Sequence, residues 1–202
     1  MRSLRQVIRG VDYLVNRPGI PAPASLKGLA RSQHHVLGET YHSMAALRYG
    51  DYIAKISVAP ESDSVKKLTG IQMQINDDSA IRDIVRDFFQ KNTADYVIRA
   101  QLCTDLRTMP VEDAAVLWKE QESPHQVIGH LHFPQQDTFS PARRVYSDDV
   151  LSFNPWHGVT EHQPLGSIMR VRMQAYERSS SFRHRMNTQP RTEPHQIDDM
   201  PD

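Results

Sequence analysis

The chain has 202 residues, enough for one domain with a real hydrophobic core, and its 24 basic and 24 acidic side chains give a formal net charge of zero. That balance removes the electrostatic case for nucleic acid or an anionic membrane surface as a partner. The single cysteine, Cys103, excludes an internal disulfide, and no apolar run approaches the length of a membrane span.

The first residues are basic but lack the apolar stretch and small-residue cleavage site of a secretion signal, which with the lone cysteine makes the cytoplasm the expected location. Leu4, Val7, Ile8, Val11 and Leu14 recur at helical spacing and predict a short amphipathic helix over residues 3–15. Pro18, Pro21 and Pro23 then stop it, so residues 1–26 read as a helix and a proline-rich linker ahead of the main domain, residues 27–187. Within that domain residues 51–60 carry the β-branched and aromatic content of a strand. Residues 79–91 form the clearest helix, with Ser79 placed as N-cap and an apolar stripe of Ile81, Ile84, Val85 and Phe88.

Two further strands are expected at 94–103 and 125–133, set between turn signals at Pro110, Pro124 and Pro134. A long final helix follows over 165–185. After it the composition changes: three prolines, no aromatic residue and two large apolar side chains predict a disordered tail over 188–202. The order of elements gives an α+β fold class.

Most candidate sites dissolve on inspection. His130 and His132 form an H-x-H on one strand face, a spacing zinc sites use, but the sequence places no third ligand and a polar sheet face accounts for both. His34 and His35 are a loop pair with no assigned role, His157 suits a structural hydrogen bond, Trp156 suits packing, and His184 is expected in solvent. No G-x-S-x-G, phosphate-loop or dinucleotide fingerprint is present, and Gly166-Ser167 only opens a helix.

One constellation remains. Arg172, Tyr176 and Arg183, at i, i+4 and i+11, share one face of the final helix. A phenol beside guanidiniums is favoured in its ionised form, a hard anionic ligand suited to ferric iron. Spacing alone also fits an ordinary tyrosine at a core edge.

The R-x-x-x-Y-x-x-x-x-x-x-R pattern resembles the proximal haem helix of the catalase superfamily, in which a tyrosine is the axial iron ligand. Residues 151–172, LSFNPWHGVTEHQPLGSIMRVR, look like the segment that wraps below the haem in the small catalase-like haem proteins, and residues 41–60 look like a strand entry of their barrel. The resemblance covers roughly residues 30–187. It departs where typical catalases follow the tyrosine with x-Asp-Thr and this chain has Glu177-Arg178-Ser179.

The resemblance implies part of the catalase-type antiparallel β-barrel followed by a C-terminal proximal helix. It further implies ferric protohaem with Tyr176 on the iron, Arg172 on the phenolate oxygen, and Arg183 near a propionate. The substrate it implies is hydrogen peroxide or an organic or lipid hydroperoxide. Residues 1–26 hold no counterpart of the family's distal histidine and asparagine, so the chain reads as a C-terminal portion whose activity needs a complementing N-terminal half. The two other expectations are a truncated remnant with a haem-binding or purely structural role, and a haem-free lipid-binding barrel. A partial barrel with open strand edges is expected to self-associate.

Overall fold

A computed structural model describes residues 34–75 and 77–201. The amphipathic helix and linker expected over 1–26 lie outside them.

A five-stranded antiparallel sheet organises the chain. Its strands are β1 (Tyr41–His42), β2 (Leu47–Tyr49), β3 (Tyr52–Pro60), β4 (Ala94–Leu102) and β5 (Gln126–Phe133). The order is β1-β3-β4-β5, and β2 also pairs with β3. Tyr49 faces Tyr52 across a tight turn in which Gly50 has a φ of 61°, a conformation that suits glycine. β1 and β5 are not joined, so the sheet is an open portion of a barrel. The strand expected at 51–60 is β3, 94–103 is β4 and 125–133 is β5.

Direct cross-strand partners put Val58, Tyr96 and Leu131 on one face and Ser57, Ala59, Val97 and Gln101 on the other. On the first face the single-turn helix α1 (Asp63–Lys66) and the helix α2 (Ala80–Phe89) pack against the sheet. Val65, Phe89, Ala94 and Tyr96 form the buried cluster there, with Val85, Phe88 and Leu131 against it. The stripe expected on α2 is rotated, because Phe89 is the buried ring and Ile81 is exposed. Ser79 does occupy the N-cap position, but its hydroxyl bonds the carboxylates of Asp77 (2.9 Å) and Asp83 (2.6 Å) rather than a backbone N–H.

The second face is covered by the loop after β4. Ala46, Met109 and Trp118 make its core, and Gln101 Nε2 donates to the carbonyls of Trp118 (3.2 Å) and Ser123 (2.9 Å). Burying a side chain the size of Met109 is worth about 1.5–3 kcal/mol, and Gln101 is tolerated there because its amide is satisfied.

After β5 come the short helix α3 (Pro141–Val145), a π-helical turn (Tyr146–Val150) and the long helix α4 (Ser167–Asn187). Ser140 caps α3 by accepting from Arg143 N. Gly166 enters α4 with a φ of 88°, and a Cβ there would sit 2.4 Å from Val111 O. The chain beyond α4 runs back along it: Ser152 N donates to Thr192 O, Arg191 pairs with Glu177, and Arg143 Nε donates to Pro201 O. No helix among the described residues is long and apolar enough to cross a membrane.

Candidate functional site

α4 is fixed at its start by contacts that a helix alone cannot supply. Ser167 Oγ donates to Glu112 O at 2.8 Å, and the Arg170 guanidinium forks onto the Glu112 carboxylate at 3.0 and 2.7 Å. That guanidinium holds the Glu112 carboxyl below the usual carboxylate range. Trp156 Nε1 donates to Met169 O at 3.0 Å, so the indole expected as packing also ties the wrapping segment to the first turns of α4.

Two turns on, one turn of helix separates Arg172 from Tyr176, and Arg172 Nη2 donates to Tyr176 Oη at 2.5 Å. The guanidinium carbon also lies 5.1 Å from the phenol ring centroid. Phe153 meets the other side of the ring, with centroids 5.8 Å apart and the planes at 61°. Together these contacts fix both the position and the tilt of the phenol.

Tyr176 lines a cleft of about 500 Å³ between α4 and residues 147–153, with Leu151, Phe153, Ala175 and Arg183 among its walls. Ser147, Ser152, Ser179 and Ser180 complete it, and none of the lining residues is a histidine, aspartate or glutamate. The floor is held by a buried bond of 2.7 Å between Ser152 Oγ and Ser180 Oγ. Arg183 lies about 10 Å from Tyr176 along the helix axis, as seven residues of α-helix require. It does not touch the phenol: it donates to Leu151 O, and to Asp148 O at 3.4 Å. Neither Arg172 nor Arg183 joins an ion pair among the described residues, so the two charges stand uncompensated beside the cleft.

Tyr176 is the residue here that could hold a metal. The phenol oxygen accepts from Arg172, which occupies one lone pair and leaves another for the metal. The cleft walls are largely apolar, and a guanidinium stands at one end for an anionic substituent.

The remaining histidines sort differently from expectation. His184 is buried at 5% exposure, and neither ring nitrogen has a partner among the described residues, where solvent was expected. His130 and His132 stand on one face, and each has its own carboxylate at 2.6 Å, Glu61 and Asp95 respectively. No cluster of metal-ligating side chains occurs among the described residues. His157 makes a hydrogen bond, to Glu193 at 2.6 Å. His34 bonds Glu39 at 2.9 Å, and His35 accepts from Leu37 N at 3.2 Å, so both members of the loop pair shape the chain ahead of β1.

Sequence reasoning reached Arg172 and Tyr176 and missed Phe153, Ser152 and Ser180. The usable signal was the small pair Ala175 and Ser179, one residue before and three after the tyrosine, which leaves room at the helix surface.

No protein-family model matches the sequence. No curated protein matches it either. Solved structures do match. A fungal catalase crystal structure superposes with a TM-score of 0.56 at 16% identity, covering 90% of this chain and 36% of that one. Catalase A from Saccharomyces cerevisiae superposes with a TM-score of 0.52 at 16% identity, covering 87% and 36%. The chain has a catalase-like fold and spans about a third of the length of the catalases it matches.

Proposed function

We propose that this chain provides the proximal side of a haem site in a catalase-type protein acting on hydrogen peroxide or organic hydroperoxides. Tyr176 would hold the iron through its oxygen, Arg172 would position that oxygen, and Arg183 would serve an anionic group of the cofactor. The observation that carries this reading is the 2.5 Å contact from Arg172 to the phenol oxygen at the wall of an apolar cleft of about 500 Å³.

When bound, ferric haem supplies an iron centre whose electron density an anionic oxygen ligand raises, which favours cleavage of a peroxide O–O bond. The chain's own part is positional. Arg172 donates to the phenol oxygen, so it stabilises negative charge there while occupying only one of its lone pairs. Phe153 packs against the ring and Leu151 lines the cleft beside it. Arg183, anchored on two carbonyls, presents charge at the far end.

Moving a proton between peroxide oxygens is a separate task, worth about 10²–10⁴ in rate. With no histidine, aspartate or glutamate in the cleft lining, turnover requires that group from a complementing N-terminal half. The same observation favours a second reading, a haem holder that does not itself turn over peroxide.

The test is an absorption titration of the purified chain with hemin beside Tyr176→Phe, followed by peroxide decay. A high-spin ferric spectrum of the tyrosinate type, lost in the variant, is the expected result, and peroxide decay above free hemin would favour an enzyme over a holder. Identical spectra for the two proteins would overturn the assignment of Tyr176.

A further inference from the structure

α4 buries little of itself. Over its 21 residues Met169, Ser180 and His184 are the buried ones, all on one side. On a wheel of about 100° per residue a second apolar row, Ile168, Val171, Ala175, Phe182 and Met186, lies within about 60° of arc and about 150° from that side. Val171, Phe182 and Met186 are 69%, 56% and 64% exposed, and the row runs about 27 Å along the helix. Tyr176 and Arg183 fall between the two sides, so the row stands beside the cleft and shares only Ala175 with its wall.

We propose that this outer face of α4 receives an amphipathic helix of a partner protein whose own apolar row is bordered by aspartate and glutamate. The spacing speaks for a helix: positions 168, 171, 175 and 182 advance by three, four and seven, the repeat at which two helices interlock. The charge speaks for acid. Arg178 and Arg185 border the row on the side away from Tyr176, both are exposed, and neither joins an ion pair among the described residues. The Arg185 guanidinium carbon lies 5.8 Å from the Phe182 ring centroid, which sets positive charge directly beside an apolar anchor. Glu177, the one carboxylate of α4, is already held by Arg191 at 2.6 Å. Acidic side chains along a partner helix complete this face within contact distance.

The same charge disfavours the other occupants. A second copy docked through its own α4 would set arginine against arginine. Residues 1–33 carry Arg2, Arg5, Arg9, Arg17, Lys27 and Arg31 against Asp12 alone, so they repeat the sign of the face. A membrane surface meets the field of the whole chain, whose formal net charge is zero, and a row one side chain wide offers it little to bury.

The probe is a synthetic, fluorescein-labelled helical peptide of about three heptads, with leucine in the contact row and glutamate on both borders. It is titrated with the full chain and followed by anisotropy, with no haem added, so the result is independent of the role of Tyr176. Micromolar binding is expected, weakened at least about tenfold by Val171→Asp or Phe182→Asp. Ile81→Asp, on exposed surface of α2, is expected to leave it unchanged. Arg178→Glu with Arg185→Glu is expected to reject the glutamate peptide and gain a lysine version of it, a reversal that loss of folding cannot produce. Equal affinity for the two peptides, or for the parent chain and Phe182→Asp, would overturn the proposal. A dimer in sedimentation that Phe182→Asp dissolves would overturn it in favour of a second copy. Binding to phosphatidylserine vesicles that the same variant abolishes, without binding to the peptide, would overturn it in favour of a lipid surface.

Discussion

The buried pair Ser152 and Ser180 shows how little polar contact is needed to hold the cleft, and how much its loss costs. Each hydroxyl is the other's side-chain partner in a place nearly closed to water. Ser180→Ala leaves Ser152 Oγ buried without that partner, which costs about 1–3 kcal/mol. Ser152→Ala is expected to cost a similar amount, and the double variant less than the sum, because no orphan then remains. Urea midpoints of the four proteins check this, and strict additivity would mean the bond carries no coupling. At this scale the sequence was legible where helical geometry alone brings side chains together. Arg172 and Tyr176 meet because i and i+4 are neighbours on any helix. Phe153 and Ser152 were not legible, since their approach depends on how the wrapping segment folds back. His184 was misplaced for a simpler reason. His184 lies one turn after Ser180, on the buried side of α4, a side that the position of Arg183 does not reveal.

At the scale of elements, α4 depends on its entrance more than on its surface ion pairs. Gly166 holds a φ of 88° and a ψ of 167°, a region that side chains avoid, and its missing Cβ makes room for Val111 O. Gly166→Ala is expected to destabilise by about 1–3 kcal/mol from backbone strain alone, with the clash added. Arg170→Ala removes an exposed pair instead and is expected to shift the melting temperature far less. Melting curves of both variants settle the order, and a reversed order would make the ion pair the true anchor. Element positions were legible because turn residues bracket them: the helix expected at 165–185 spans Ser167–Asn187, and β3, β4 and β5 begin or end within a residue of expectation. β1 and β2 were missed because two or three residues are too few for alternation to show. The Gly50-Asp51 turn between Tyr49 and Tyr52 was the available signal.

For the whole molecule, pH separates two sets of groups. Burial pushes the imidazoles of His35 and His125 below the ordinary histidine value; Glu120 opposes this for His125, and His42 and Arg99 add to it. The folded state then binds fewer protons than the unfolded chain, so stability is full above about pH 6.5 and falls as pH drops below it. Asp77, Asp83, Asp105 and Asp137 are held low by hydrogen bonds and guanidiniums, so their contribution is lost only near and below about pH 4. Urea unfolding at steps from pH 7.5 to 5 is expected to show the decline, and His125→Asn to flatten it. An unchanged slope in that variant would remove His125 from the account. At this scale the mixed class was legible from element order and the partial barrel from the resemblance to catalases, whereas which segments cover the two faces was not, because the loop that buries Met109 and Trp118 has no periodic pattern. The anchoring of α4 has a mechanical consequence. Just ahead of Gly166 the wrapping segment is bonded to the β2 region, with Arg48 N donating to Gln163 O and Leu165 N to Ala46 O, while Glu112 and Val111 hold the first turn. Gly166 joins these anchors to the helix, with Tyr176 about 15 Å out along it. A tilt of about 10° at Gly166 moves the phenol by roughly 2.6 Å, on a scale where 1 Å of misplacement costs about a hundredfold in rate. The aim of the tyrosine is set at a glycine ten residues away.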